Sequence, residues 1–180
     1  MIKQTSSRAE NEDKQFPIED TFYCSYFENI SLKTIFLLDK KDACNIWGNR
    51  IDSSALSYFG LPENSWIDMD EAKVLGEWIT SYNNDTNLTV ERILRDEFDW
   101  GDEENILFFL NNENALKTKW KFFLEYWDCF LAIESDNPLI ILENSTVAEL
   151  LSFTSTGMIL KFSYPLRTDI PTKVTKTTSH

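Results

Sequence analysis

The sequence predicts a single α+β domain in which N-terminal helices precede a mixed or antiparallel sheet. In the first half of the chain, apolar residues recur at the three- and four-residue spacing of helices. In the second half they form continuous or alternating runs, which are typical of strands. Neither an internal repeat nor a glycine-rich linker divides the 180 residues, and this length suits one domain with a sizeable core.

Helices dominate the predicted first half, after an aromatic segment at residues 21–27 that predicts a strand or an extended entry segment. Asp39 is placed as an N-cap, because its side chain can accept a backbone N–H of the first helical turn. Polar residues 83–87 predict a loop. The apolar spacing and the turn residues predict helices at residues 39–47, 53–59, 68–82 and 89–98.

Strands dominate the predicted second half. Residues 111–114, Asn-Asn-Glu-Asn, predict a hairpin turn between the first two of them. Residues 121–130 fit a helical stripe less certainly, and residues 145–153 predict a helix with Ser145 as its N-cap. The resulting order is strand, strand, helix, strand, helix, strand. The predicted strands are residues 105–110, 115–120, 138–142 and 158–164.

The two ends of the chain differ from its body in composition and charge. Residues 1–15 are polar and predict a disordered leader, and residues 167–180 predict a loose C-terminal tail, which leaves a domain at 16–166. The formal net charge of the chain is −13. Because residues 1–16 are balanced and residues 167–180 carry +2, the body from 17 to 166 carries −15.

This charge excludes some partners and favours others. A strongly acidic surface repels nucleic-acid phosphates and anionic membrane surfaces, so neither is expected as a partner. The same surface speeds encounter with a basic protein. Solubility alone is the alternative explanation of the acidity, and the sequence leaves both open.

The residue types that most enzymes and metal sites need are scarce. The three cysteines, Cys24, Cys44 and Cys129, are widely spaced, and the only histidine is His180. We therefore expect no metal, no cofactor, no catalytic residue and no enzyme activity, with free thiols in a cytoplasmic protein. No secretory signal and no apolar run of bilayer length is present in the sequence.

The densest acidic stretch is the candidate site. Six of the nine residues from 96 to 104 are acidic, and we refer to this stretch as the acidic segment. Its carboxylates can accept strong hydrogen bonds from lysine or arginine, with an aromatic anchor beside them. It lacks the ligand spacing of an EF-hand calcium loop, and a solvated loop is the simpler alternative. The predicted partner-binding residues are Asp96, Glu97, Asp99, Trp100, Asp102, Glu103, Glu104 and, from a separate turn, Asp136.

Several short motifs lie between residues 93 and 162. They are Phe98-Asp99-Trp100, Asp102-Glu103, Thr118-Lys119-Trp120, Phe123, Trp127, Phe130, Ser135-Asp136-Asn137 and Pro138-Leu139-Ile140. In these motifs, residues 93–162 resemble an uncharacterised bacterial family that is classed as a domain of unknown function. A glycine is expected at Lys121, and its absence puts the predicted turn between strand and helix in question. The resemblance implies one bacterial domain with this strand and helix order, and it implies no activity.

Three functions remain open at this stage. The composition, acidic and rich in tryptophan, also resembles that of immunity proteins, which neutralise bacterial toxins by binding them directly. We favour that reading, with a basic toxin domain as the partner. The alternatives are a carboxylate- or divalent-metal-dependent hydrolase and a housekeeping adaptor.

Overall fold

A computed structural model of the chain describes residues 15–163, except 28–29, 31, 64, 69, 85–86, 134–135 and 146–147. The described residues form the strands β1 Gln15–Pro17, β2 Phe36–Leu38, β3 Lys73–Glu77, β4 Asn105–Asn111, β5 Asn114–Lys119, β6 Leu139–Leu142, β7 Glu149–Phe153 and β8 Met158–Ser163. They form the helices α1 Lys40–Arg50, α2 Ile79–Asn83, α3 Asn87–Glu97, α4 Trp120–Glu125 and α5 Trp127–Ile133. Short 3-10 helices lie at Ile18–Asp20, Phe22–Phe27, Leu32–Thr34 and Tyr58–Gly60.

All strand pairs among the described residues belong to one antiparallel sheet, in the order β1-β2-β5-β4-β6-β7-β8-β3. In the middle of this sheet, β4 and β5 form a hairpin, β6 pairs with the other side of β4, and β6, β7 and β8 form a meander. On both sides of the sheet, strands pair with residues far away in the sequence. Phe36 in β2 pairs with Lys117 in β5, and Lys73 in β3 pairs with Lys161 in β8. The α+β class is therefore confirmed, and the antiparallel alternative is the correct one.

The central strand β4 is buried on both faces, which explains its continuous apolar sequence. Ile106 and Phe108 point into a core formed with α3, α4 and α5. Leu107 and Phe109 point into a second core on the opposite face, formed with α1 and the chain that follows it. The sheet is thus the middle one of three layers.

Several predicted elements are confirmed. The Asp39 carboxylate accepts a hydrogen bond from the backbone N–H of Lys41 at 2.9 Å, so Asp39 caps α1 as expected. The turn between β4 and β5 is held by the side-chain oxygen of Asn111, which accepts hydrogen bonds from the backbone of Glu113 and Asn114. The predicted helix at 89–98 is α3, and the strand at 138–142 is β6.

The predicted strand or extended entry segment at 21–27 is wrong in both forms, because this segment forms the 3-10 helix Phe22–Phe27. The hydroxyl of Thr21 accepts a hydrogen bond from the backbone of Tyr23 and starts the turn. The aromatic content suggested a strand, yet only Phe27 of the helix is fully buried, which leaves no continuous buried run. The predicted short helix at 53–59 is likewise replaced by turns and the 3-10 helix Tyr58–Gly60.

The predicted helix at 68–82 is split into β3 and α2. Trp78 lies at the junction, where its backbone N–H and its indole N–H bind the carbonyls of Gly157 and Thr154 at 2.8 and 2.9 Å. β3 pairs with β8 instead of continuing a helix. Gly76, a poor helix former, lies inside β3 where its missing Cβ leaves room for Ile93. Tertiary pairing therefore overrides the helical spacing.

The predicted helix at 145–153 is also wrong, because Glu149–Phe153 is the strand β7 between β6 and β8. Leu150, Leu151 and Phe153 are all buried, so burial on both faces removes the alternation that marks a half-buried strand. The predicted helical stripe at 121–130 is realised as two helices, α4 and α5, which are interrupted at Tyr126.

The predicted leader and tail lie outside the described residues, apart from Gln15, which begins β1. The doubt about a turn at Lys121 is resolved by a direct connection. β5 ends at Lys119 and α4 begins at Trp120, so no glycine turn separates them.

Gly157 generates a stability prediction. Its φ of +95° is a conformation that residues with a side chain rarely adopt, and an added Cβ would meet Ile79 at 2.8 Å. We expect Gly157→Ala to lower the free energy of unfolding by about 1–3 kcal/mol, measured by urea denaturation. The double variant Gly157→Ala/Ile79→Ala should recover only the part of the lost unfolding free energy that the clash with Ile79 causes. Equal stability of Gly157→Ala and the wild type would contradict this account.

Candidate partner-binding surface

The acidic segment joins α3 to β4 and is held by backbone hydrogen bonds. The carboxylate of Glu104 accepts a hydrogen bond from the backbone N–H of Gly101 at 2.6 Å. The first residues of α4, Trp120 and Lys121, donate backbone hydrogen bonds to the carbonyls of Glu104 and Asp102. The loop therefore has a fixed shape, because its backbone is tied to a buried helix.

Trp100 does not serve as an exposed anchor. It is only 7% exposed, and its ring packs 4.6 Å from Phe98 and 4.9 Å from Trp120 between ring centroids. Its prediction as a partner-binding residue is corrected, because an aromatic side chain that ties a loop to the core has little surface left for a partner. Trp100 is instead the residue that pins the acidic segment to the fold.

Some of the predicted acidic residues already have basic partners within the chain. Glu97 pairs with Lys73 at 2.6 Å, and Asp102 pairs with Arg95 at 2.6 Å. Hydrogen bonds with Asp102 and then with Glu91 raise the pKa of Arg95 above its usual value. Exposed pairs of this kind are weak and screened by salt, so a partner can compete for both acids.

The remaining acids of the segment are Asp96, Asp99 and Glu103. All three are exposed, and none of them forms an ion pair with another described residue. The backbone of Glu103 is fixed, since Lys119 Nζ donates a hydrogen bond to its carbonyl at 2.6 Å. These carboxylates are the part of the segment that can reach a partner without breaking an internal contact.

Asp136 is exposed but does not belong to the same surface. It precedes β6, whose Leu139 pairs with Phe109 near the far end of β4. The acidic segment enters β4 at Asn105, at the other end. At about 3.4 Å per strand residue, the length of β4 separates Asp136 from the segment. The structure therefore does not bring all the predicted residues together.

A small cavity of about 200 Å³ opens beside the segment, lined by Glu103, Glu104, Asn105, Leu142 and Asn144. Its oxygen-rich lining suits the head of a lysine or arginine side chain. The neighbouring Glu143 carboxylate is already occupied by Lys117 at 2.6 Å and by the side-chain amide of Asn105.

A second cavity, of about 280 Å³, lies beside Arg50, Trp66 and Glu149. Its arginine is committed to the fold, because Arg50 Nη1 donates hydrogen bonds to the carbonyls of Leu142 and Glu143 at 2.7 and 2.8 Å. Burial lowers the pKa of this guanidinium. Arg50 therefore holds the end of β6 against α1.

The described residues offer few groups for catalysis. They contain no cluster of three or more His, Cys, Asp or Glu side chains arranged to hold a metal ion. Burial, with a smaller contribution from Asp128, raises the pKa of the Cys129 thiol to about 11, which is opposite to the change that activates a cysteine nucleophile. Within the same residues, no helix is both long and apolar enough to cross a bilayer.

The sequence analysis missed a second acidic stretch, residues 51–72, which we name the 51–72 segment. It contains five acidic residues and no lysine or arginine, and a count of charges alone would have revealed it. The apolar residues spread among the acids concealed it. Two of them, Leu56 and Phe59, are 69% and 70% exposed.

The 51–72 segment is fixed to both the helix before it and the sheet. The carboxylate of Asp52 accepts hydrogen bonds from the backbone of Ser54 and Ala55 at 2.7 and 2.8 Å. The indole of Trp47 donates to the Ala55 carbonyl at 2.8 Å, and the backbone N–H of Asn112 donates to the Leu56 carbonyl at 2.9 Å. The exposed apolar residues are thus presented on a well-held loop.

Trp100→Ala tests the structural role of that residue. We expect the substitution to lower the free energy of unfolding by about 3–5 kcal/mol, because it leaves a cavity against Phe98 and Trp120. Urea denaturation followed by fluorescence measures the change. The neighbouring exposed Asp99→Asn is the control and should change stability by less than about 0.5 kcal/mol. If Trp100→Ala were as stable as this control, Trp100 would not hold the acidic segment to the core, and its prediction as a partner-binding residue would stand.

Comparison with known proteins identifies the family of the chain. No curated protein and no solved structure matches it. One family model matches residues 25–161, which is most of the chain and includes both acidic stretches. The description of that family is "Protein of unknown function (DUF2947)". The resemblance to a family of unknown function is therefore confirmed, and the chain belongs to the DUF2947 family.

Proposed function

We propose that this protein is an acidic protein-binding module whose acidic segment binds a basic protein partner. The observation that carries the proposal is the exposure of Asp96 at the end of α3 and of Asp99 and Glu103 on the loop of fixed shape that follows, without ion partners among the described residues. Carboxylates that are already positioned lose little freedom when a partner binds, so more of the interaction energy is available for affinity.

The overall charge supports the same proposal. A body of −15 attracts a cationic surface over a distance of about one Debye length, roughly 8–10 Å at physiological salt, and speeds association. The same charge opposes binding to nucleic acid or to anionic lipid. A basic protein is thus the class of partner that the electrostatics favour.

We further propose that the partner is a bacterial toxin domain and that the protein is its immunity protein. A cationic toxin that acts on a nucleic acid has an active site shaped for phosphates, and a row of carboxylates on a rigid loop can occupy such a site. Cys24, Cys44 and Cys129 are free thiols, which suits the reducing cytoplasm where such protection is needed.

Charge reversal tests the proposed surface. With the protein encoded beside this gene as the probe, Asp99→Lys/Glu103→Lys should weaken binding about tenfold or more, because it places cations against a basic surface. The wild-type association rate should fall as salt rises from about 50 to 300 mM, measured by biolayer interferometry. The control is Glu19→Lys/Asp20→Lys, which changes the net charge equally at two exposed positions of the 3-10 helix Ile18–Asp20.

The outcomes separate the parts of the proposal. Equal losses in both double variants would mean that net charge acts without a specific surface. Binding without any protection against growth inhibition by the neighbouring protein would exclude the immunity role and leave a housekeeping adaptor. If the neighbouring protein did not bind at all, both the immunity role and the adaptor role would be excluded for that partner.

A further inference from the structure

The 51–72 segment combines exposed apolar side chains with five acidic residues and contains no lysine or arginine. Leu56 and Phe59 project from a loop that is held by side-chain and backbone hydrogen bonds. Exposed apolar side chains mark interaction sites when they form a patch. The ring of Tyr58 extends this patch, 5.6 Å from that of Phe59 between centroids.

A cavity of about 300 Å³ opens beside these residues. The cavity is lined by Tyr58, Phe59, Leu61, Pro62 and Ile67, together with the acidic residues Glu63 and Asp68. A lining of apolar residues and two acidic residues matches a long side chain that has an aliphatic stem and a cationic head. Arginine and lysine have this form, so the cavity is complementary to them in both shape and charge.

The electrostatics of the cavity agree with this assignment. Burial, followed by the charge of Asp68, raises the pKa of the Tyr58 hydroxyl above its usual value. Tyr58 therefore stays neutral and leaves the two carboxylates as the charged groups of the cavity. A cation entering it would relieve this unbalanced negative charge.

A second copy of this chain is a poor occupant. The 51–72 segment has five acids and no basic residue, and the whole chain carries −13. Pairing this surface with itself would place like charges opposite one another, which opposes association. A basic partner has the complementary charge.

We propose that the 51–72 segment is a docking surface for a partner protein segment in which an arginine or lysine is flanked by apolar side chains. The cation enters the cavity at Glu63 and Asp68, and the flanking side chains pack on Leu56 and Phe59. This surface lies at the hairpin end of β4, where Asn112 binds Leu56, whereas the acidic segment lies at Asn105. The inference shares the basic partner with the proposed function but uses another surface, so either can fail alone.

The test uses a synthetic peptide, acetyl-Gly-Leu-Arg-Leu-Gly-amide, and a matched peptide with glutamate in place of arginine. Titration into the ¹⁵N-labelled full chain should shift the amide signals of residues 56–68 saturably with the arginine peptide and not with the glutamate peptide. Phe59→Ser and Glu63→Gln/Asp68→Asn should each weaken binding about tenfold. Glu19→Gln/Asp20→Asn, at two exposed positions outside both acidic stretches, is the control and should bind as the wild type does.

Four results would overturn the inference. They are the absence of a saturable shift, equal shifts with both peptides, shifts centred on the acidic segment, and dimerisation of the free chain that Phe59→Ser abolishes. Phe59 is exposed, so its replacement should leave the amide spectrum dispersed and the fold intact. The acidic-segment variants of the proposed function do not enter these outcomes.

Discussion

Burial of β4 on both faces is the constraint on which the other layers depend. Ile106 and Phe108 need a helical layer on one side, and Leu107 and Phe109 need α1 and the 51–72 segment on the other. Four successive apolar residues of β4 are fully buried, so neither face of the strand contacts water. Their backbone groups must be hydrogen-bonded to neighbouring strands, and their side chains must be packed against other elements on both faces. Both acidic stretches lie in connections that this arrangement forces to the surface, one leading into β4 and one covering it.

The class of the fold and its central elements could be predicted because local signals and burial agree there. The capped helix α1, the amphipathic α3 and the hairpin of β4 and β5 each contain their own periodicity or turn residues. The errors at β3 and β7 arise where the pairing partner decides the structure. β7 is buried on both faces, and such a strand cannot be distinguished from a helix by pattern alone, whereas β3 is a partly exposed edge strand that only its pairing with β8 defines.

The candidate site was predictable as a segment but not as a surface. The density of acidic residues in the sequence identified the acidic segment. The ion pair of Glu97 depends on β3, that of Asp102 on α3, and the burial of Trp100 on α4, and none of these contacts can be predicted from the segment alone. The number of residues between two positions does not show which end of a sheet each of them occupies. The sequence therefore could not separate Asp136 from the acidic segment. The cavity at Glu63 and Asp68 depends on how the 51–72 segment folds back on α1, which no local pattern contains.

The strand order has a consequence for how the chain reaches this structure. β4 to β8 pair with strands that lie close to them in sequence, whereas Phe36 must find Lys117 and Lys73 must find Lys161. Loop closure opposes such distant contacts until the intervening chain is compact. We therefore expect β4 to β8 to pair first during folding and the outer strands to join later. During synthesis, β3 leaves the ribosome long before β8, so β3 has no strand to pair with until β8 has been made.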